Sequence, residues 1–85
     1  MLRQLIATPS VSSPDPRFDE SNRGVVELVA EWASALGFRV RVESLPGESG
    51  KANLIATLGS GEDGLVLSGH TDTVPYDAAR WTDDP

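Results

Sequence analysis

The stretch from residue 19 to residue 43 constrains the fold most strongly, because a helical pattern changes there directly into a strand pattern. Apolar residues recur every three or four positions, as on the buried face of an amphipathic helix: Val25, Val26, Leu28, Val29, Trp32, Ala33 and Leu36. We predict that this helix begins near Asp19 or Ser21, either of which can cap its free amides, and ends at Gly37. Residues 38–43 then alternate between apolar and charged side chains, which predicts a strand with one wet face.

Shorter patterns flank this segment. Leu2, Leu5 and Ile6 have helical spacing, and the prolines and serines of residues 10–17 predict a loop. Residues 53–58 read as a second strand, which can pair with the first as a hairpin around a turn at residues 46–50. Residues 65–69 form a short apolar run without polar alternation, which is typical of a strand covered on both faces.

Helix, strand pair and buried strand together predict an α/β fold, with helices packed on a mixed sheet. The chain has 85 residues, no cysteine and 39% hydrophobic residues, so its core must rest on packing alone or lean on further protein. Residues 83–85 end in what reads as a loop. We therefore expect residues 1–85 to be the N-terminal part of a larger domain.

The charge and hydropathy of the chain exclude some classes of partner. Seven Lys and Arg stand against thirteen Asp and Glu, giving a net charge of −6, and the basic residues are scattered. Nucleic-acid binding is therefore not expected, since it depends on basic groups that neutralise phosphate. No apolar run approaches the roughly 20 residues of a membrane span, and no signal-peptide pattern opens the chain. A cytoplasmic protein without a membrane partner is expected.

The residues that can carry chemistry follow the apolar run directly. His70, the only histidine, stands where that predicted strand ends, and ligands in open α/β sheets gather just past such ends. On extended backbone, His70 and Asp72 point to the same side. A carboxylate that accepts a hydrogen bond from one ring nitrogen fixes the tautomer and frees the other nitrogen for a metal ion.

A structural role competes with this interpretation. A lone histidine at a strand end is commonly a hydrogen-bonded structural residue, and a catalytic zinc ion needs about three protein ligands. Other acidic residues show no ligand spacing: Glu62, Asp63, Asp77, Asp83 and Asp84. From the residues alone, a metal ligand and a non-catalytic α/β interaction module both stay open.

The string from Ser68 to Pro75, followed by Arg80-Trp81-Thr82, resembles the first metal-ligand segment of the dinuclear zinc amidohydrolases of the M20 peptidase family. Residues 5–12, 19–38 and 53–56 resemble the opening helix and turn, the second helix and the second strand of that family. The resemblance therefore covers essentially the whole chain. It implies an incomplete M20-type catalytic domain, whose remaining catalytic part and dimerisation domain lie outside residues 1–85.

The resemblance also implies roles for two residues. His70 would bind one of two zinc ions per subunit, with cobalt as a possible substitute, and Asp72 would be the catalytic residue that orients and polarises the imidazole. The short linker from Tyr76 to Trp81 resembles the branch that hydrolyses N2-acetyl-L-ornithine to ornithine and acetate in arginine biosynthesis, whereas the related desuccinylases have a longer linker. Another amidohydrolase of the family, namely a desuccinylase, an aminoacylase or a carboxypeptidase, is the alternative. The expected partners are a small N-acyl amino acid and a second subunit in a homodimer. Residues 1–85 alone are expected to be inactive.

Overall fold

Two helices, two strands and a short 3₁₀ helix follow one another along the chain in the computed structural model, which describes residues 1–48 and 50–85. Helix α1 spans Leu2–Ala7 and helix α2 spans Arg23–Ala35. Strands β1 and β2 span Arg39–Ser44 and Ala52–Thr57, and the 3₁₀ helix spans Ala78–Arg80. The predicted order of helix, loop, helix and strand pair is thus confirmed.

Helix α2 has the predicted apolar face, but it begins later than expected. Its first residue is Arg23, whose amide donates a hydrogen bond to the Ser21 hydroxyl at 3.1 Å. Asp19 does not cap the helix, because its carboxylate instead accepts hydrogen bonds from Lys51 and from a loop amide. At the other end, Gly37 has a φ of 91° and its amide donates to Ser34, the left-handed cap predicted from the sequence.

Strands β1 and β2 form the predicted hairpin. They pair antiparallel, with Arg39 opposite Thr57 and Ser44 opposite Ala52. Part of the predicted turn between them, residue 49, lies outside the described residues. Helix α2 packs against both strands, and the buried apolar residues of the described chain come from α2 and from the start of β2: Val25, Val26, Ala30 and Ala52. The α2–hairpin unit is therefore the core of this small α/β domain.

Two expectations about the sheet are wrong. The sheet of the described chain has only two antiparallel strands, so it is not mixed, and the isolated parallel bridge between Val11 and Thr73 lies outside it. Residues 65–69 form no strand, and the side chains of Leu65, Val66 and Leu67 are 86 to 87% exposed. A covered strand needs partners for its backbone and for both faces, and no described strand lies beside this run.

Among the helices of the described chain, none combines the length and the apolar composition that a membrane span requires.

Candidate metal centre

The side chains of His70 and Asp72 lie together, as the sequence predicts. His70 Nδ1 is 2.8 Å from Asp72 Oδ1, within hydrogen-bonding distance. Both side chains face solvent, with 82% of the imidazole and 56% of the carboxylate exposed. The pair is therefore preformed and open to a ligand. That His70 is a metal ligand and that Asp72 is catalytic stay predictions.

The backbone of this pair is anchored to the loop that follows α1. The Ser10 hydroxyl donates a hydrogen bond to the Thr71 carbonyl oxygen at 2.7 Å, and the Thr73 amide donates to the Ser10 carbonyl at 3.1 Å. The Ser12 amide donates to the Thr73 carbonyl at 3.1 Å. In the part of the chain that the structure describes, these three hydrogen bonds are the only ones between residues 58–85 and the rest of the chain. They place the His70–Asp72 pair.

The loop after α1, residues 10–20, is here called the anchoring loop, and hydrogen bonds within it join its two ends. The Val11 amide donates to Glu20 Oε2 at 2.9 Å, and the Glu20 amide donates back to the Val11 carbonyl at 2.8 Å. The Ser13 amide donates to Asp19 Oδ1 at 3.0 Å. These contacts close residues 11–20 into a loop that is tied by three hydrogen bonds.

Lys51 joins this loop to the hairpin. Its Nζ atom donates to Asp19 Oδ1 at 2.9 Å, and only 15% of the Lys51 side chain is exposed. The hydrogen bond from Lys51, assisted by the one from the Ser13 amide, holds the pKa of Asp19 below its ordinary value. The carboxylate is therefore charged at neutral pH, and the ion pair links the core to the anchoring loop.

A polar cleft of about 470 Å³ runs beside the anchored segment. Its walls include Ser10, Asp19, Asn22, Lys51 and Asp72. His70 is not among the residues that line it. A larger depression of about 650 Å³ lies on the α2 surface, between residues 27 and 40, and is separate from this segment. Of the two, only the polar cleft borders the predicted site.

The remaining acidic residues of the C-terminal half do not complete a metal site. Asp77 accepts a hydrogen bond from the Ala79 amide at 3.0 Å and so caps the 3₁₀ helix. Glu62, Asp63, Asp83 and Asp84 are all exposed. Across residues 1–48 and 50–85, no three His, Cys, Asp or Glu side chains are grouped so that they could hold a metal ion. His70 is thus the one credible ligand here.

Known proteins with similar sequences align with the whole chain. The chain is 54% identical over all 85 residues to the acetylornithine deacetylase of Proteus mirabilis, and 58% identical to that of Pasteurella multocida. A third acetylornithine deacetylase, from Photorhabdus laumondii, is 51% identical over the same length. The chain is similar throughout to acetylornithine deacetylases. No family model matches it.

These relatives carry the name of the branch that the short linker before Trp81 resembles. The alignment covers the whole chain but only 22% of the length of each relative. The chain therefore corresponds to about a fifth of an acetylornithine deacetylase.

Sequence reasoning missed Ser10 and Ser12, which hold the candidate pair in place. Ser10 and Thr71 are 61 residues apart, so no local periodicity reports their contact. The one available signal was that the Thr-Pro-Ser-Val-Ser string of residues 8–12 belongs to the family resemblance.

Proposed function

We propose that residues 1–85 are the N-terminal part of the catalytic domain of a metal-dependent amidohydrolase, to which they contribute one metal ligand, His70. The observation that carries this proposal is the 2.8 Å contact between His70 Nδ1 and Asp72 Oδ1 on an exposed segment. It gains weight from a chain 51 to 58% identical to acetylornithine deacetylases.

The pair has the chemistry of an oriented imidazole ligand. When Asp72 accepts a hydrogen bond from Nδ1–H, the ring proton stays on Nδ1 and the lone pair of Nε2 is free. The carboxylate charge also makes the imidazole a stronger electron donor. In the described part of the chain, Nε2 has no hydrogen-bond partner, so this nitrogen is available to a cation.

Zinc suits this donor, because imidazole nitrogen is one of its preferred ligands, and cobalt accepts similar ligands. When bound, such an ion makes water a competent nucleophile near neutral pH and polarises the amide carbonyl. The complete site would hold two ions per subunit. Because His70 is the only credible ligand among the described residues, the other ligands and the general base come from the rest of the protein.

The reaction that we propose for the complete protein is hydrolysis of the acetamide of N2-acetyl-L-ornithine to ornithine and acetate, in arginine biosynthesis. The names of the relatives support this substrate. In this reaction, His70 holds a cation and Asp72 keeps the imidazole in its metal-binding tautomer. We also propose that the complete protein is a cytoplasmic homodimer.

The test uses the longer protein that contains this chain, here called the complete protein. We expect His70→Ala to lose most of one bound zinc equivalent, measured by metal analysis after dialysis, and to lose deacetylase turnover. Asp63→Ala, which removes an exposed carboxylate from the loop before the same segment, serves as the control. Unchanged zinc stoichiometry and turnover in His70→Ala would refute the proposal and favour a structural role.

A substrate panel separates this proposal from the other amidohydrolases considered. The complete protein should hydrolyse N2-acetyl-L-ornithine faster than N-succinyl-diaminopimelate, N-acetylated neutral amino acids or short peptides. A preference for a succinylated substrate or for a peptide would retain the metal site and reject the acetylornithine assignment.

A further inference from the structure

We propose that Ser10 is the positioning residue of the candidate metal centre, because it holds both peptide groups that flank Asp72. This inference rests on the proposed function and extends it to a residue outside the His70–Asp72 pair. Ser10 lies at the end of the turn after α1, and it is the single buried polar residue of the described chain, with 3% of its surface exposed.

Two hydrogen bonds of Ser10 hold the backbone on either side of Asp72. The Ser10 hydroxyl donates to the Thr71 carbonyl oxygen at 2.7 Å, and this oxygen belongs to the peptide group between Thr71 and Asp72. The Ser10 carbonyl accepts from the Thr73 amide at 3.1 Å, and this amide belongs to the peptide group between Asp72 and Thr73. Since peptide groups are planar, fixing both of them fixes the direction in which the Asp72 side chain leaves the backbone.

The direction of the Asp72 side chain in turn sets the imidazole. Asp72 Oδ1 is the partner of His70 Nδ1, so a rotation of the Asp72 backbone would move the carboxylate away from the ring. Within the described chain, the Ser10 and Ser12 hydrogen bonds are the only ones that join residues 58–85 to the rest of the chain, so these are the hydrogen bonds that oppose such a rotation. Side chains that support a metal ligand commonly govern its affinity.

The hydroxyl contributes something that the backbone of residue 10 cannot. Any residue at this position keeps the carbonyl that accepts from Thr73, but only a side-chain donor reaches the Thr71 oxygen. Ser10→Ala therefore removes the hydrogen bond to the Thr71 carbonyl and leaves the one from the Thr73 amide. Ser12→Ala is the matched control, because the Ser12 side chain is exposed and makes no hydrogen bond to the residues that the structure describes, while its anchoring amide is kept.

The experiment measures zinc affinity of the folded complete protein by competition with a chromophoric chelator, together with hydrogen exchange of residues 70–74 in the metal-free protein. We expect Ser10→Ala to weaken zinc binding by about three- to tenfold, less than the 10- to 100-fold typical of direct partners of a ligand. Exchange of the Thr73 amide should quicken by about fivefold, although its own hydrogen bond is kept, because the segment opens more readily once the bond from the Ser10 hydroxyl to Thr71 is lost. Fivefold is the factor that the loss of one ordinary hydrogen bond allows. Ser12→Ala should match the wild type.

Graded variants separate positioning from mere folding. Ser10→Thr keeps a hydroxyl donor and should bind zinc within about twofold of the wild type, whereas Ser10→Val, which has the branching of threonine but no donor, should bind zinc as weakly as Ser10→Ala. The comparison of Ser10→Thr with Ser10→Val also keeps the test decisive if Ser10→Ala fails to fold. A melting temperature lowered in Ser10→Ala with zinc affinity unchanged would assign Ser10 a structural role and overturn the inference.

Failure of the inference differs from failure of the proposed function. If His70→Ala weakens zinc binding while Ser10→Ala does not, the metal site stands and Ser10 does not position it. If His70→Ala leaves zinc affinity unchanged, the proposed function falls, and the role of Ser10 falls with it.

Discussion

The side-chain amide of Asn22 makes two hydrogen bonds with the backbone of Ala52. Asn22 Nδ2 donates to the Ala52 carbonyl at 2.9 Å, and Asn22 Oδ1 accepts from the Ala52 amide at 2.8 Å. Asn22 immediately precedes α2 and Ala52 is the first residue of β2. This contact therefore fixes the start of the helix against the start of the strand, beside the loop that anchors the candidate metal centre.

Asn22→Ala should destabilise the protein by about 2 kcal/mol, because it leaves the amide and carbonyl of the buried Ala52 without partners. Exchange of the Ala52 amide should also quicken. Thermal unfolding and hydrogen exchange of residues 50–57 in the complete protein check both effects. Asn53→Ala, at the exposed next position of β2, is the control. Equal stability of the two variants would show that the pairing contributes little.

Asp72→Asn should weaken zinc binding by about 10- to 100-fold in the complete protein, because the imidazole loses the charged acceptor that fixes its tautomer. The hydrogen-bonding distance of 2.8 Å to His70 Nδ1 can persist with an amide oxygen, so the change isolates charge from shape. Chelator competition measures the affinity, with Asp63→Asn as the control. An affinity within twofold of the wild type would separate Asp72 from the metal site.

Residues 1–85 by themselves should bind zinc more weakly than micromolar and should hydrolyse no acetylornithine. The physical reason is the number of ligands, since one imidazole cannot replace the three or more protein ligands of a catalytic zinc site. Calorimetric titration of the isolated chain with zinc chloride provides the measurement. Tight binding with a stoichiometry of one would mean that carboxylates of this chain complete a site after all.

Gly37→Ala should cost about 1 kcal/mol, because Gly37 has a φ of 91°, which an L-residue adopts only with strain. A Cβ atom there meets no atom within 4 Å, so steric overlap with neighbours does not contribute. Gly64→Ala is the control, since its Cβ also meets nothing within 4 Å and its φ is not among the positive ones. Thermal unfolding of both variants should give a lower melting temperature for Gly37→Ala alone.

The Asp19–Lys51 pair should stabilise the protein only while Asp19 is charged. Lys51 lowers the pKa of Asp19 in the folded chain, so the pair contributes fully above the unfolded pKa of about 3.9 and loses its contribution as pH falls through the folded pKa. The difference in melting temperature between wild type and Asp19→Asn should therefore be constant above about pH 5 and shrink below about pH 4.

Thermal melts across this range check that prediction, with Asp63→Asn as the comparison because Asp63 is exposed and outside the ion pairs of the described chain. A difference between wild type and Asp19→Asn that persists at the lowest pH would mean that the Asp19 side chain stabilises the loop by means other than its charge.

Patterns between near neighbours predicted much of this fold. The apolar spacing of residues 25–36 predicted helix α2, and Gly37 predicted its C-terminal cap. The alternation of residues 38–43 predicted the first strand of the hairpin. These elements depend on contacts between residues three or four apart in a helix, or on a single turn between strands. The contact between His70 and Asp72 was predictable for the same reason, since alternate residues of an extended backbone share a side.

What the amino-acid sequence determined by itself was therefore the local elements, the pairing of His70 with Asp72, and the resemblance of the whole chain to acetylornithine deacetylases. Only the tertiary structure decided that Ser10 holds Thr71 and that Asn22 holds Ala52, contacts across 61 and 30 residues. It also decided that residues 65–67 stay exposed within this chain. Such outcomes depend on which distant surfaces meet, and a single hydroxyl or an apolar run does not specify its partner until the chain has folded around it.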